Sequence, residues 1–328
     1  MILRFLKGNQ AYHFVLIPLV VGGLWFRSYL FSESYPFFSG ESSMPLYALL
    51  TRLLGGSLLA GNILSIALVV LLSFLILHLN TAYTFIQERT FLPSNIFVLI
   101  VSGLLSLHTL HPVYFGALFL LLVIDHIFNA YESRKILSNA FDAGFFLGLG
   151  SLFYLNLIFY FPVIWIGFLL IRKSLEWRNF LLSFIGAALP WLFAFSWYFF
   201  HDFPDQLWDV VRQNLVTPNN FLRGNIHLQI YLAFLTAFTL GCSLFLLGRY
   251  DAQKISTRKY FQIFFLVFLI SFVLLLLVPA VSREILVIMA IPLTFLISNY
   301  LMFIRKQFWG NVILFIFFGM ILYLQFVN

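Results

Sequence analysis

Repeated apolar runs of about twenty residues limit what this chain can fold into. A bilayer core about 30 Å thick is crossed by about 20 apolar residues in a helix. The chain is 62% hydrophobic and only 9% charged, and no polar stretch is long enough to fold around a core of its own. We therefore predict an all-α polytopic transmembrane helix bundle that forms a single integral membrane domain over residues 1–328. About eleven spans are predicted, near residues 12–31, 57–79, 94–109, 112–129, 141–155, 157–171, 180–200, 227–248, 260–279, 285–304 and 311–327.

The basic residues predict the orientation of these spans. Loops on one side of the predicted bundle hold fourteen of the nineteen Lys and Arg residues, including every lysine. Such an excess is typical of the cytoplasmic side of a membrane protein. The N-terminus is therefore expected in the cytoplasm and, with eleven spans, the C-terminus on the extracytoplasmic side. The same asymmetry accounts for most of the net charge of +7, so no nucleic-acid partner is expected.

The first outer loop, residues 32–56, is long enough to build a site. It holds two carboxylates, Glu33 and Glu41, and then a leucine stripe that begins after Pro45. The leucines recur at helical spacing, with Arg52 on the polar side. This pattern predicts a short amphipathic helix that lies in the membrane interface.

The fourth outer loop, residues 201–226, predicts a second amphipathic helix. Asp202 is a suitable N-cap for a helix that begins at Pro204, and the helix is expected to end before Pro218. One face carries apolar residues and the other carries charged and amide side chains. The two predicted helices would cover the outer ends of the spans and enclose a cleft.

Five arginines lie on the predicted outer side, against the positive-inside rule. The planar guanidinium of arginine binds phosphate or carboxylate through two parallel hydrogen bonds, which lysine cannot do. Arg283, between spans nine and ten, is either a clamp for a lipid phosphate or a snorkelling side chain balanced by Glu284. The five are Arg27, Arg52, Arg212, Arg223 and Arg283.

Each of the other candidates also has a structural alternative. Arg27 either pairs with Glu33 or binds a ligand, and Arg52 and Arg223 either anchor the interface or contact a lipid phosphate. Glu33 or Glu41 is either a general base for an acceptor hydroxyl or an ordinary solvated acid. Glu33 is favoured of the two because it lies closer to the first span.

The sequence predicts neither a metal site nor a cofactor. His108 and His111 flank a tight outer turn, but no third ligand lies near them in sequence, so we expect solvated histidines in the interface. Cys242 is the only cysteine, which excludes an intrachain disulfide and a cysteine metal site. The inner loops carry no glycine-rich phosphate cradle, so a cytoplasmic ATP-driven reaction is not expected.

Several segments together resemble the GT-C superfamily, polytopic glycosyltransferases that use polyprenyl-phosphate-linked sugars. The shared features are a first span, an acidic outer loop, an interfacial helix of the PLYALLTRLLGG kind and then paired spans. The later segment SREILVIMAIPLTFLIS resembles the arginine and proline-containing span of that superfamily, and LWDVVRQNLVTPNNFLRG resembles its late outer loop. The chain is also similar to a family of bacterial multi-pass inner-membrane proteins without an assigned activity.

The resemblance implies a GT-C-like fold and a sugar transfer on the extracytoplasmic face of a bacterial inner membrane. It places the catalytic acid at Glu33, or less well at Glu41, although the superfamily usually has an aspartate there. Arg283 would contact the phosphate of the polyprenyl lipid. The alternative is a non-catalytic GT-C-like subunit that binds an isoprenoid lipid or scaffolds other membrane proteins of the envelope.

Overall fold

The protein is helical throughout the part of the chain that the structure describes, with no strand there. The prediction of an all-α fold is confirmed for these residues. The computed structural model describes residues 2–8, 10, 12–30, 37, 40–86, 88–104, 107–131, 136–172, 176–218, 225–248, 253–304 and 306–327.

The α-helices are numbered in chain order, and two short 3-10 segments, at Glu41–Ser43 and Leu155–Tyr160, lie between them. The helices are α1 (Ile2–Leu6), α2 (His13–Leu30), α3 (Pro45–Leu53), α4 (Leu58–Tyr83), α5 (Leu92–Ser102), α6 (Val113–Asn129), α7 (Ile136–Ser151), α8 (Phe161–Ile171), α9 (Trp177–Phe200), α10 (Pro204–Val216), α11 (Ile226–Leu247), α12 (Ile255–Leu277), α13 (Ile285–Phe303) and α14 (Gln307–Val327).

Six helices within the described ranges are long and apolar enough to cross a membrane, judged by length and composition. They are α4, α9, α11, α12, α13 and α14. Shorter apolar helices also lie at four of the other predicted spans, including α5 and α6. The chain is therefore a helical membrane protein, and the number of eleven spans stays a prediction.

Helix α13 forms the centre of the bundle. Its sequence is apolar on every side, a pattern typical of a helix surrounded by other helices. It packs against α5, α6, α11 and α12, and nearly all of its side chains are buried. By contrast, α9 and α11 bury only 22% of their most apolar stretch, as expected of helices that face lipid.

Helices α7 and α9 approach each other more closely than any bulky side chain would allow. A β-carbon added at Gly144 or Gly148 of α7 would overlap backbone carbonyl groups of α9, and one added at Gly186 of α9 would overlap the backbone of α7. Small residues four apart let helix backbones meet in this way, and dispersion contacts then stabilise the pair in lipid.

Both predicted amphipathic helices are present. Helix α3 begins at Pro45, and α10 begins at Pro204 and ends before Pro218. The predicted cap of α10 is wrong, because Asp202 lies one residue before the N-cap position and adopts a left-handed backbone (φ 61°). The N-cap position therefore falls on Phe203, which makes no side-chain capping hydrogen bond.

Contacts between loops join segments that the predicted topology places on the same side. On the predicted outer side, the hydroxyl of Tyr47 in α3 donates to the Leu110 carbonyl (3.0 Å). On the predicted inner side, the Lys7 ammonium donates to the Met302 carbonyl (3.2 Å). These contacts agree with an alternating path of the helices, while the orientation in the membrane stays a prediction.

Candidate functional site

The end of the bundle that is predicted to face outward holds a buried contact between an acid and a histidine. Glu41 lies on the 3-10 turn before α3, and His111 lies in the turn before α6. The Nε2 atom of His111 is 2.7 Å from Oε1 of Glu41, and the two side chains are 0% and 1% exposed. Neither carboxylate oxygen of Glu41 makes a well-aligned hydrogen bond with another described residue, so the contact is chiefly electrostatic.

The backbone fixes the tautomer of His111. The N–H of Val113 donates to Nδ1 of the ring (3.1 Å), so Nδ1 must be unprotonated. The proton of the neutral imidazole is therefore on Nε2, the nitrogen that faces Glu41. Phe37 stacks on the other side of this ring, with centroids 5.7 Å apart and planes at 20°. The ring proton therefore lies on Nε2, close to Glu41 but not aligned for a hydrogen bond with either carboxylate oxygen.

A second buried acid, Glu284, lies at the N-terminus of α13. Its Oε1 accepts the backbone N–H of Ser282 (2.7 Å) and a long hydrogen bond from the hydroxyl of Tyr154 (3.5 Å). Glu284 is 0% exposed, and its Oε2 has no hydrogen-bond partner among the described residues. Residues from four outer segments therefore meet here, and we call Glu41, His111, Tyr154, Arg283 and Glu284 the outer cluster.

The two acids of the outer cluster influence each other. Burial raises the pKa of Glu284, and the negative charge of Glu41 raises it further. The backbone N–H of Ser282 and the charge of Arg283 oppose this shift but are smaller causes. Like charges in a low-dielectric site cannot both ionise easily, so one acid keeps its proton to a higher pH than usual. Arg283 is itself buried, with 2% of its surface exposed.

His108 is also buried, which corrects the prediction of solvated turn histidines. Trp25 stacks on its ring, with centroids 4.3 Å apart and planes at 12°, and Nε2 donates to the Ser102 carbonyl (3.1 Å). Burial lowers the pKa of His108 to about 3, so this side chain stays neutral. The sequence placed both histidines correctly in a turn but could not show that Trp25 of α2 and Phe37 stack on them.

The predicted site residues are only partly brought together. Arg283 and Glu41 lie in the outer cluster, whereas Arg52 is exposed at the end of α3. Glu33 and Arg223 lie outside the described residues, and so does the side chain of Arg27.

Sequence reasoning missed the roles of His111, Tyr154 and Glu284 in this site. The only indication in the sequence was that all three residues lie at the predicted outer ends of spans. Glu284 was considered only as a balancing charge for Arg283, because its contact with the segment around Tyr154 joins residues far apart in the chain.

A large apolar groove lies beside the outer cluster. Its volume is about 890 Å³, and it runs between α8, α9 and the amphipathic helix α10. Aromatic side chains dominate its walls. They include Phe161, Trp165, Phe184, Trp191 and Trp208. The groove has room for part of a hydrocarbon chain, since typical small-molecule pockets measure about 300–1,000 Å³.

Helix α10 connects the groove to the outer cluster. Leu207 and Val211 of this helix line the groove, and the amide of Asn214 donates to the Gly40 carbonyl (2.8 Å), one residue before Glu41. Gly40 has a positive φ of 94°, and a β-carbon there would lie 2.6 Å from Cβ of Gln213. Only glycine therefore allows the turn that carries Glu41 to lie this close to α10.

The outer cluster does not resemble a metal site. No group of three or more His, Cys, Asp or Glu side chains in the described ranges is arranged to hold a metal ion. Cys242 is a free thiol buried in α11. The arrangement instead offers a carboxylate, an arginine and a neutral histidine next to an apolar groove.

These features define a polytopic α-helical membrane protein with a buried polar cluster at one end of its bundle. The chain belongs to DUF6427, a family of unknown function, whose model matches residues 43–328. The match begins just after Glu41 and includes His111, Tyr154, Arg283 and Glu284. No curated protein and no solved structure matches the chain.

Proposed function

We propose that this protein is a GT-C-like glycosyltransferase that moves a sugar from a polyprenyl-phosphate donor to an acceptor on the extracytoplasmic face. In this proposal the chain crosses a bacterial inner membrane about eleven times, with a cytoplasmic N-terminus and a periplasmic C-terminus. One observation carries the proposal. The buried carboxylate of Glu41 lies in one cluster with Arg283 and His111, and its turn is attached to the helix that roofs the apolar groove.

In the proposed reaction, Glu41 is the general base. Its carboxylate accepts the proton of an acceptor hydroxyl as the acceptor oxygen bonds to the anomeric carbon of the sugar. The bond between that carbon and the phosphate oxygen breaks, and polyprenyl phosphate leaves with the electron pair. Nε2 of His111 lies 2.7 Å from Oε1 of Glu41, and Oε2, which makes no hydrogen bond with a described residue, is left for the acceptor. Glu33, the base that the sequence favoured, stays the alternative.

Arg283 and the groove supply the binding part of the proposal. The guanidinium of Arg283 would stabilise the negative charge of the departing phosphate. Because the pKa of Glu284 is raised, this acid tends to keep its proton. It therefore neutralises the charge of Arg283 less than an ionised carboxylate next to it in sequence would. The groove beneath α10 would hold part of the isoprenoid chain, with Arg27, Arg52 and Arg223 as further candidate contacts to the phosphate.

The test is transfer of a labelled sugar from polyprenyl phosphate by the full-length protein in proteoliposomes. Glu41→Gln should lower turnover by at least about 100-fold, since general base catalysis contributes about 10²- to 10⁴-fold. The control is Glu176→Gln, a change to an exposed acid that should leave turnover unchanged. Wild-type turnover in both Glu41→Gln and Glu33→Gln, at equal protein levels, would refute the transferase.

A second candidate is a non-catalytic lipid-binding or scaffold subunit of an envelope complex. The near-complete burial of Glu41 and Glu284 favours it, because buried polar networks often serve to specify a single packing arrangement. In that case other membrane proteins of the envelope would co-purify with the chain, and Glu41→Gln would leave both the complex and the cellular phenotype intact.

A further inference from the structure

A small pocket with several polar side chains in its wall lies at the opposite end of the bundle from the outer cluster. Its volume is about 120 Å³. Its polar lining residues are Thr84 at the end of α4, Gln253, Lys254 and Thr257 at the start of α12, and Asn299 near the end of α13, and the aromatic rings of Phe85 and Phe303 complete the wall. The predicted topology places all three helix ends on the cytoplasmic side. We call this space the inner pocket.

Two side chains in the inner pocket are buried without a partner. Asn299 is 2% exposed and Thr257 is 6% exposed. No hydrogen bond joins either side chain to another residue in the described part of the chain, and their polar atoms are not fully enclosed by protein, so they are open to the cavity. Buried polar groups almost always have a protein, water or ligand partner, and both of these line the same cavity. The inner pocket is therefore built to hold something polar.

The charge around the inner pocket favours an anion. Lys254 is the N-cap residue of α12 and makes no side-chain capping hydrogen bond. The N–H groups of the first helical turn have no partners within the helix and carry a partial positive charge. No carboxylate lines the pocket among the described residues.

The C-terminal end of α13, which also lies at the pocket, carries a partial negative charge on its carbonyl groups and therefore repels anions. Lys7 offsets this effect, since its ammonium donates to the Met302 carbonyl in the last turn of α13 (3.2 Å). Burial lowers the pKa of Lys7, and the nearby charge of Glu88 opposes this shift. Glu88 does not line the pocket. The side chains that reach the cavity are therefore neutral or positive.

We propose that the inner pocket binds a phosphate group, held by Lys254 and the first turn of α12, with Asn299 and Thr257 as further hydrogen-bond partners. The volume suits this ligand, since a water molecule occupies about 30 Å³ and the pocket holds about four of them or one tetrahedral oxyanion. The phosphate is either free or part of an anionic lipid headgroup, because basic pockets between helices on the cytoplasmic side bind such headgroups. This site is separate from the proposed transfer reaction.

The experiment measures ligand binding to the purified full-length protein as protection against thermal unfolding. One arm adds inorganic phosphate, and the other compares mixed micelles that contain phosphatidylglycerol with micelles that contain only phosphatidylcholine. Lys254→Ala and Asn299→Leu are the test variants. Lys306→Ala is the control for a lost charge on the same side, and Asn179→Leu is the control for a lost buried amide outside the pocket.

Each test variant should weaken binding about tenfold, as expected for the loss of one charge-assisted hydrogen bond. The two controls should bind like the wild-type protein. Protection by inorganic phosphate identifies a free anion, and protection by phosphatidylglycerol alone identifies a lipid headgroup. Absence of protection in both arms, or equal weakening in Lys254→Ala and Lys306→Ala, would overturn the proposal and leave a pocket that holds only water.

Discussion

Replacing Glu284 with glutamine removes one ionisable group from the outer cluster and keeps the shape of the side chain. The amide oxygen can still accept the backbone N–H of Ser282, which now donates to Oε1 (2.7 Å). The amide nitrogen would take the place of Oε2, which has no partner among the described residues. The variant therefore loses the repulsion by Glu41 without losing the hydrogen bond that fixes the start of α13.

The pH dependence of stability gives the expected size of the effect. Burial and Glu41 raise the pKa of Glu284 above its ordinary value of 4.5, so the folded protein keeps a proton that the unfolded chain releases. The resulting stability is fully present below the unfolded pKa and is lost as the pH rises through the folded pKa. The loss is at most about 1.4 kcal/mol per pH unit. In Glu284→Gln this loss is absent.

The assay uses Cys242, which is free and 2% exposed in the folded protein. A thiol-reactive fluorogenic dye therefore reports thermal unfolding of the full-length protein in detergent. The variant should unfold with the wild-type midpoint at pH 5 and at a higher temperature at pH 8. Glu176→Gln, at an exposed acid, should follow the wild-type protein at both values. A variant with the wild-type pH slope, or with lower stability at both values, would refute the reasoning.

Three further substitutions test the packing that surrounds the site. Gly144→Ala should destabilise the protein by about 1–3 kcal/mol because the methyl group overlaps the backbone of α9, whereas Gly241→Ala, with nothing within 4 Å, should be neutral in the same thermal assay. Gly40→Ala should lower stability by at least about 1–2 kcal/mol, since φ is 94° there, and should make the adjoining turn more sensitive to limited proteolysis. Tyr47→Phe removes a 3.0 Å hydrogen bond to a backbone carbonyl and should cost about 1 kcal/mol, measured by dye reactivity of Cys242.

The sequence predicted the helices more fully than the site. Apolar runs of the right length identified the bundle, and proline positions set the starts of α3 and α10. These features are local, because hydrophobicity and backbone restriction act within a few residues. The sequence did not predict which helix lies at the centre of the bundle. Helix α13 and helix α11 are both apolar, yet only α13 is surrounded by protein, and no local pattern separates these two environments.

The site depended on contacts between distant segments. His111 and Glu41 are seventy residues apart in the chain, and Tyr154 and Glu284 are still further apart. Topology placed all four on one side of the membrane, which made the meeting possible. It could not show which acid would be buried beside the histidine, and Glu33, the favoured acid, lies outside the described residues.

Helix α10 contacts both the groove and the turn that carries Glu41 of the outer cluster. Any chain that fills the groove must contact Leu207 or Val211, and the same thirteen-residue helix binds the Gly40 carbonyl through Asn214. A helix of this length moves largely as one body because its backbone hydrogen bonds connect every turn. We therefore expect that a chain bound in the groove would shift the turn that carries Glu41. In the proposed function, the lipid chain in the groove and the candidate base Glu41 would be connected through α10 and the hydrogen bond between Asn214 and the Gly40 carbonyl.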